Sequence, residues 1–293
     1  MSRKRPPQVV TGPRLDGRAG RPVGRLAGWL IVVVLVCYAV TTVFPFVWLV
    51  GSAFKPALEF NDPLRVVPHH PTVDNFRRAF TLVPFGRFIL NSLVVSTTVT
   101  LGVVATSACA AYAFARMRFP GRDSMFLGYL ATMMVPWSVV MIPTFILMKT
   151  LHWIDTHLAL IVPAMFSAYG TFMLRQFFLG ISRDLEDAAR IDGCGHVGIF
   201  RHVILPLSKP ALATLAIFTF IGSWNNLIMP LIFIFSEERM TITVGLDRFR
   251  GMQDADWGAR MAGALVMLLP MLLLFGIGQR FFTRGIRLSV DKT

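Results

Sequence analysis

Residues able to do acid, base or nucleophilic chemistry are scarce in this sequence, and their spacing suits no catalytic motif. The 293 residues include five lysines, Lys4, Lys55, Lys149, Lys209 and Lys292, and none follows a glycine. A P-loop needs Gly-Lys-Ser/Thr, because the loop backbone cradles phosphates that the lysine then meets. His-Glu-x-x-His, Cys-x-x-Cys and Gly-x-Ser-x-Gly are also missing. Cys37, Cys109 and Cys194 are odd in number and far apart, which gives neither a disulfide framework nor a metal spacing. The sequence therefore predicts no catalytic residue, no metal site and no cofactor held by this chain. If the protein does driven work, another subunit supplies the energy.

Two other groupings could act on a ligand or a partner. Uncharged polar residues cluster at Asn91, Ser92, Ser96, Thr97, Thr98 and Thr100, and again at Ser223, Asn225 and Asn226 beside Trp224. Amides, hydroxyls and an aromatic are what a neutral hydroxylated solute would meet. Hydrogen bonding between helices accounts for the first cluster better. For Trp224, Asn225 and Asn226 the two readings stand level. The second grouping lies in residues 181–210, where Ser182, Asp184, Glu186 and Asp187 precede Leu185, Ala188, Ala189 and Ile191. A serine cap and early acids suit the positive end of a helix. Gly193 and Gly195 then break it, since glycine readily takes the left-handed stop conformation. A second short helix is expected over His196–Val203, with Pro206 and Pro210 ending it and starting the next element. On physics alone this elbow is a partner's docking site or a plain amphipathic loop.

The elements that carry these groups follow from composition. Apolar residues make up 54% and charged residues 15%, where a soluble domain carries roughly 25% charged. Six charge-free runs reach 19 residues or more: Leu26–Phe54, Phe88–Ala115, Ser124–Met148, Thr156–Leu174, Pro210–Ser236 and Met261–Gln279. About 20 helical residues cross a ~30 Å hydrocarbon core. The expected fold is all-α, with six transmembrane helices. The first run is far longer than a signal-peptide core and reads as an uncleaved helix. Pro45, Pro136, Pro143, Pro163, Pro230 and Pro270 fall within the runs and suit either gating kinks or packing.

Lys and Arg number nineteen in the tails and even-numbered loops, against ten in the odd-numbered loops. The positive-inside rule then puts both termini in the cytoplasm. This asymmetry accounts for the net charge of +13 without nucleic acid as a partner. The expected organisation is a disordered basic tail over 1–25, a first helix over 26–54 and an extracytoplasmic loop over 55–87. A five-helix core over 88–282 includes the cytoplasmic loop 182–206, and a short cytoplasmic tail covers 283–293. No Asp, Glu, Lys or Arg lies inside a span, which weighs against a proton-coupled carrier.

The elbow also carries a resemblance. Asp187-Ala188-Ala189, three residues, Gly193, nine residues and Val203-Ile204-Leu205-Pro206 resemble the E-A-A-x3-G-x9-I-x-L-P loop of ABC importer permeases. Pro45-Phe46, Asn91-Ser92, Phe119-Pro120-Gly121-Arg122, Trp224-Asn225 and Asp256-Trp257-Gly258 are similar to the smaller, second permease of maltose-type carbohydrate importers. Asp187 replaces the usual Glu, and Asn226 stands where the family often has Asp.

The resemblance implies a type I ABC importer permease fold in a bacterial cytoplasmic membrane. The chain would form half of a sugar translocation path, as a heterodimer with a second homologous permease. Its other implied partners are two ATPase subunits, which would hold the ATP and Mg, an extracytoplasmic solute-binding protein and the lipid bilayer. Glu186, Asp187, Ala188, Ala189, Gly193, Leu205 and Pro206 are the expected ATPase-coupling residues. Asn91, Trp224, Asn225 and Asn226 are the expected solute-path residues. The outer loop 237–256 would lean on the binding protein. The alternatives are a non-sugar solute such as a glycerophosphodiester, or a stand-alone carrier or channel.

Overall fold

A computed structural model of the chain describes residues 25–62, 65–249 and 256–290. The basic tail expected before the first helix lies outside these residues, apart from Arg25, as do residues 250–255 of the outer loop. Residues up to Val47 form one unit and those from Trp48 onward form another. The first unit holds most of α1, Arg25–Ala53, whose apolar side chains from Trp29 to Val47 are exposed.

The second unit is a bundle. Helix α2 (Asp74–Leu82) leads into α3 (Phe85–Arg116), the long central helix. Helices α4 (Arg122–Ala131) and α5 (Trp137–Thr150) follow, then α6 (Leu158–Ile161) and α7 (Ala168–Leu179). The elbow comprises α8 (Asp184–Ile191), α9 (His196–Ile199), a π turn over Phe200–Ile204 and α10 (Leu205–Leu207). Helices α11 (Lys209–Trp224), α12 (Ile228–Phe233), α13 (Ile242–Arg248) and α14 (Trp257–Val290) complete it. No strand occurs among the described residues.

Helix α3 packs on α7 and α11, and α14 packs on α2 and α11. Phe88, Val95, Val99 and Ala111 of α3, Leu174 and Phe178 of α7, and Leu215 of α11 are buried there. Small residues set the approach. A Cβ on Gly170 of α7 would lie 2.6 Å from Ser107 Oγ of α3, so only glycine lets these helices meet so closely.

Among the described residues, four helices are long and apolar enough to cross a membrane, or up to six spans if each of two bent pairs counts as one. The bends fall within two of the expected spans or at their borders. The third run breaks by 97° between Met134 and Trp137. Proline has no N–H and drives its predecessor out of the helical region, and Val135 accordingly sits at φ −80°, ψ 115°.

The fifth run is not one helix either. Helix α11 ends at Trp224, and α12 restarts at Ile228. The amides compete with the backbone here. Asn225 Nδ2 donates to the Ile221 carbonyl at 3.0 Å, and Asn226 Oδ1 accepts the Met229 N–H at 3.2 Å. The last helix also continues to Val290, past the expected start of a tail at 283.

Candidate functional site

The elbow is built from a short acidic helix and one glycine. Asp184, Glu186 and Asp187 occupy the first turn of α8 and Arg190 the last, each at the end its charge favours. Ser182 Oγ accepts the Asp184 N–H at 3.3 Å but is not the N-cap, a place held by Arg183. The helix closes with Cys194 N–H donating to the Ala189 carbonyl at 2.9 Å and Gly193 N–H to the Arg190 carbonyl at 3.0 Å. This pair of bonds is the Schellman motif, which needs a left-handed residue at Gly193. Gly193 has φ +83°, as expected. Gly195 does not follow it: at φ −76°, ψ 178° it is extended and precedes α9. The following segment stays helical through Leu207, so Pro206 lies within it and the 75° bend falls before Lys209.

The elbow's acids divide sharply. The Glu186 side chain is 4% exposed and faces inward, with Oε1 3.0 Å from Arg116 Nη1 at the end of α3. Arg116, 3% exposed, also donates to the carbonyls of Phe178 and Ile181. Tyr112, one turn earlier, donates its hydroxyl to the His196 carbonyl at 3.2 Å. The end of α3 thus holds the end of α7 and both arms of the elbow. Asp187 points outward and pairs with Arg190 at 2.8 Å. Ala188, Ile191, Val197 and Pro206 are exposed, with Ile191 at 87% and Val197 at 79%. Ala189 and Leu205 are half-buried against the core. A cavity of about 400 Å³, lined by Arg118, Arg183 and His196 among others, lies beside the Arg116–Glu186 pair.

The expected solute-path residues are not brought together. Trp224 is buried, with Nε1 donating to the Met267 carbonyl at 3.1 Å and its ring stacked on Phe220. Asn225 is exposed and reaches Met271 Sδ at 3.0 Å. Asn91 Nδ2 donates to the carbonyls of Glu238 and Met240 at 2.8 and 2.9 Å. Asn226 alone of the four lines a cavity of about 270 Å³, beside Ser92, Ser96, Ser167, Thr219 and Ser223. A signal for this cavity existed in the sequence. Ser92/Ser96 and Thr219/Ser223 are each spaced four apart, which sets each pair on one helix face.

The start of α3 holds a strap, residues 235–242. Besides the Asn91 bonds, Ser92 Oγ accepts the Ile242 N–H at 2.8 Å. Asp155 Oδ1 accepts the N–H groups of Phe235 and Ser236, each at 2.9 Å, and Ser236 Oγ donates to Oδ2. Arg239 donates to the Asp155 carbonyl, and His157 Nε2 lies 3.0 Å from the Arg239 carbonyl. Burial raises the Asp155 pKa, but the hydrogen bonds from Ser236 and Phe235 and the nearby Arg239 outweigh it and hold the carboxyl below its ordinary value. The described part of the outer loop, 237–249, is therefore folded, and α13 within it buries Ile242 and Val244.

Residues 101–288 match the family described as the binding-protein-dependent transport system inner membrane component. The arabinooligosaccharides transport system permease protein AraQ of Halalkalibacterium halodurans is 33% identical over 270 residues, covering 91% of this chain and 97% of that protein. The sn-glycerol-3-phosphate transport system permease protein UgpE of Brucella abortus is also 33% identical, over 276 residues and the same shares. A bacterial ABC transporter that imports alginate superposes with TM-score 0.83 at 20% identity, over 89% of this chain and 98% of its own. The chain is a polytopic, all-α membrane protein of the importer-permease class. It belongs to the family of binding-protein-dependent transport system inner membrane components.

Proposed function

We propose that this chain is the smaller permease of an ATP-driven sugar importer. It pairs with a second homologous permease, rests on two ATPase subunits and receives solute from an extracytoplasmic binding protein. The ATPase subunits hold ATP and Mg and perform the hydrolysis, so this chain contributes no catalytic group. The excess of Lys and Arg in the tails and even-numbered loops supports a bacterial cytoplasmic membrane with both termini inside. A glycerol phosphate solute is the second reading, supported by relatives of equal identity.

The observation that carries the coupling role is the division of the elbow. Its outward face offers Asp187, Ala188, Ile191 and Val197 to a partner, while Glu186 ties its inward face to α3 through Arg116. An ATPase that moves the elbow therefore pulls on the central helix as a rigid body. Small alanines permit close approach, and Gly193 sets the angle between the arms.

Gly193 is the point of test. A Cβ there would meet nothing within 4 Å, so a side chain costs backbone strain and not a clash. At φ +83° that strain is largest for a β-branched residue and small for asparagine. Gly193→Val should lower uptake and solute-stimulated ATP hydrolysis together in the reconstituted complex. Gly193→Asn should keep most of both. Full stimulation in Gly193→Val would remove the docking role.

A further inference from the structure

We propose that two basic cavities between the α3–α4 turn and the elbow form a site for the phosphate headgroup of an anionic phospholipid. One, of about 400 Å³, lies beside the Arg116–Glu186 pair. The other, of about 580 Å³, opens at the start of α4, with Phe119, Gly121, Asp123 and Ser124 in its wall. Arg118 and Arg183 border both. Naming the leaflet cytoplasmic rests on the orientation proposed above; the site itself does not.

Arg118 and Arg183 carry the inference. Each of the other arginines in these walls has an acid: Arg116 meets Glu186 at 3.0 Å, Arg122 meets Asp123 at 3.0 Å and Arg190 meets Asp187 at 2.8 Å. Arg118 and Arg183 have no ion pair and no side-chain hydrogen bond among the described residues. Across both walls, five arginines face only Glu186 and Asp123, an excess of +3. A guanidinium presents its N–H groups as a planar fork that fits phosphate oxygens in pairs. Because both arginines border both cavities, one phosphate can draw on both forks. The exposed His196 ring and Ser124 hydroxyl extend the donor set at either end.

Position favours a lipid as the bearer of that phosphate. Helix α4 opens the first bent pair of apolar helices. Directly after Ser124, Met125 and Leu127 are 60% and 68% exposed, an apolar surface for acyl chains beside a basic pocket for a headgroup. Basic pockets between membrane helices at this surface are where anionic headgroups bind. An acidic patch on a partner protein fits less well. The elbow's outward residues Asp187, Ala188, Ile191 and Val197 line neither cavity, whereas Glu186 of its inward face lines the first.

The test uses the full-length chain in its purified complex, in phosphatidylcholine nanodiscs containing spin-labelled phosphatidylglycerol or spin-labelled phosphatidylcholine. The labelled phosphatidylglycerol should be bound in preference. Arg118→Gln and Arg183→Gln should each lower that preference about five-fold, the effect of one basic residue at a lipid surface. Arg201→Gln should not, since Arg201 lies on the elbow but lines neither cavity. All three residues are exposed, so the fold should survive each change. An unchanged preference in the first two variants overturns the site, and equal losses in all three overturn it in favour of diffuse charge. Inorganic phosphate at constant ionic strength should leave the label bound; displacement would assign the arginines to a free anion and overturn the lipid. Loss of ATPase subunits from Arg118→Gln and Arg183→Gln with the lipid preference intact would overturn it in favour of a protein interface. The readout needs no transported solute, so its failure leaves the permease reading untouched.

Discussion

The two ends of α3 hold two loops by different chemistry. At its start, Asn91 and Ser92 bind the strap 235–242 through backbone carbonyl and N–H groups, and Asp155 adds further main-chain bonds. At its end, Arg116 holds the elbow through one buried charge pair and two carbonyls at the end of α7. The strap is over-determined: losing one bond leaves several. The elbow has fewer ties to α3, the Arg116–Glu186 pair at α8 and the Tyr112–His196 bond at α9, with exposed apolar residues beyond them. A loop fixed at many points keeps its shape, whereas one held at two points, one of them a buried charge pair, moves as a lever and transmits force through them.

The largest effect expected from this contrast is at the charge pair. Removing one partner of a buried pair costs about 3–5 kcal/mol, because the other charge stays buried and unpaired. Glu186→Gln and Arg116→Met should each detach the elbow and abolish solute-stimulated ATP hydrolysis. The double variant Arg116→Met/Glu186→Leu should regain much of the thermal stability, since neither charge remains. It should not regain full coupling if the pair is the lever's attachment. A double variant that couples normally would reduce the pair to packing.

The strap should respond to acid. Hydrogen bonds depress the Asp155 pKa in the folded state. Its stabilising contribution is thus complete above the unfolded aspartate value of about 3.9 and is lost as pH falls through the lower folded value. Below about pH 4, backbone N–H exchange at Phe235 and Ser236 should accelerate. Asp155→Asn should speed exchange at neutral pH and flatten its rise in acid. Arg239 and His157 at this clasp, and Glu237 and Glu238 on the strap itself, are also charged or titratable, so the variant is needed to assign the effect. An unchanged acid profile in Asp155→Asn would move it to another group.

The parts differ in how far the sequence revealed them. Charge-free runs located the membrane helices because an uncharged stretch of such length has few soluble uses. The left-handed turn at Gly193 was legible because glycine chemistry is local. The breaks at Pro136 and at Asn225–Asn226 were harder. Proline within a run is compatible with a kink or a stop, and asparagine ends a helix only where its amide finds the backbone. The buried role of Glu186 was hidden for another reason. Its partner Arg116 lies 70 positions earlier, and a surface-looking acidic helix gives no hint which acid turns inward. The surroundings of the expected path residues were hidden in the same way. Trp224 and Asn91 spend their donors on backbone carbonyls, whereas hydroxyls of weaker sequence signal line the cavity.

The smallest expected effect on stability sits beside the largest, at Asp187. Its carboxylate is 62% exposed and, among the described residues, pairs with Arg190, three residues on. Such exposed helical pairs contribute about 0.2–0.5 kcal/mol, and a neutral amide retains some favour near the helix start. Asp187→Asn should leave the thermal stability of the purified chain within about 0.5 kcal/mol of wild type. Retention of the ATPase on purification should nevertheless fall, and fall further at high salt, because screening weakens whatever charge contact remains. Glu186→Gln should show the reverse emphasis, with a large stability loss in the chain alone. Equal stability losses in Asp187→Asn and Glu186→Gln would mean that the elbow's two acids share one structural task, and the division into an inward tether and an outward docking face would not hold.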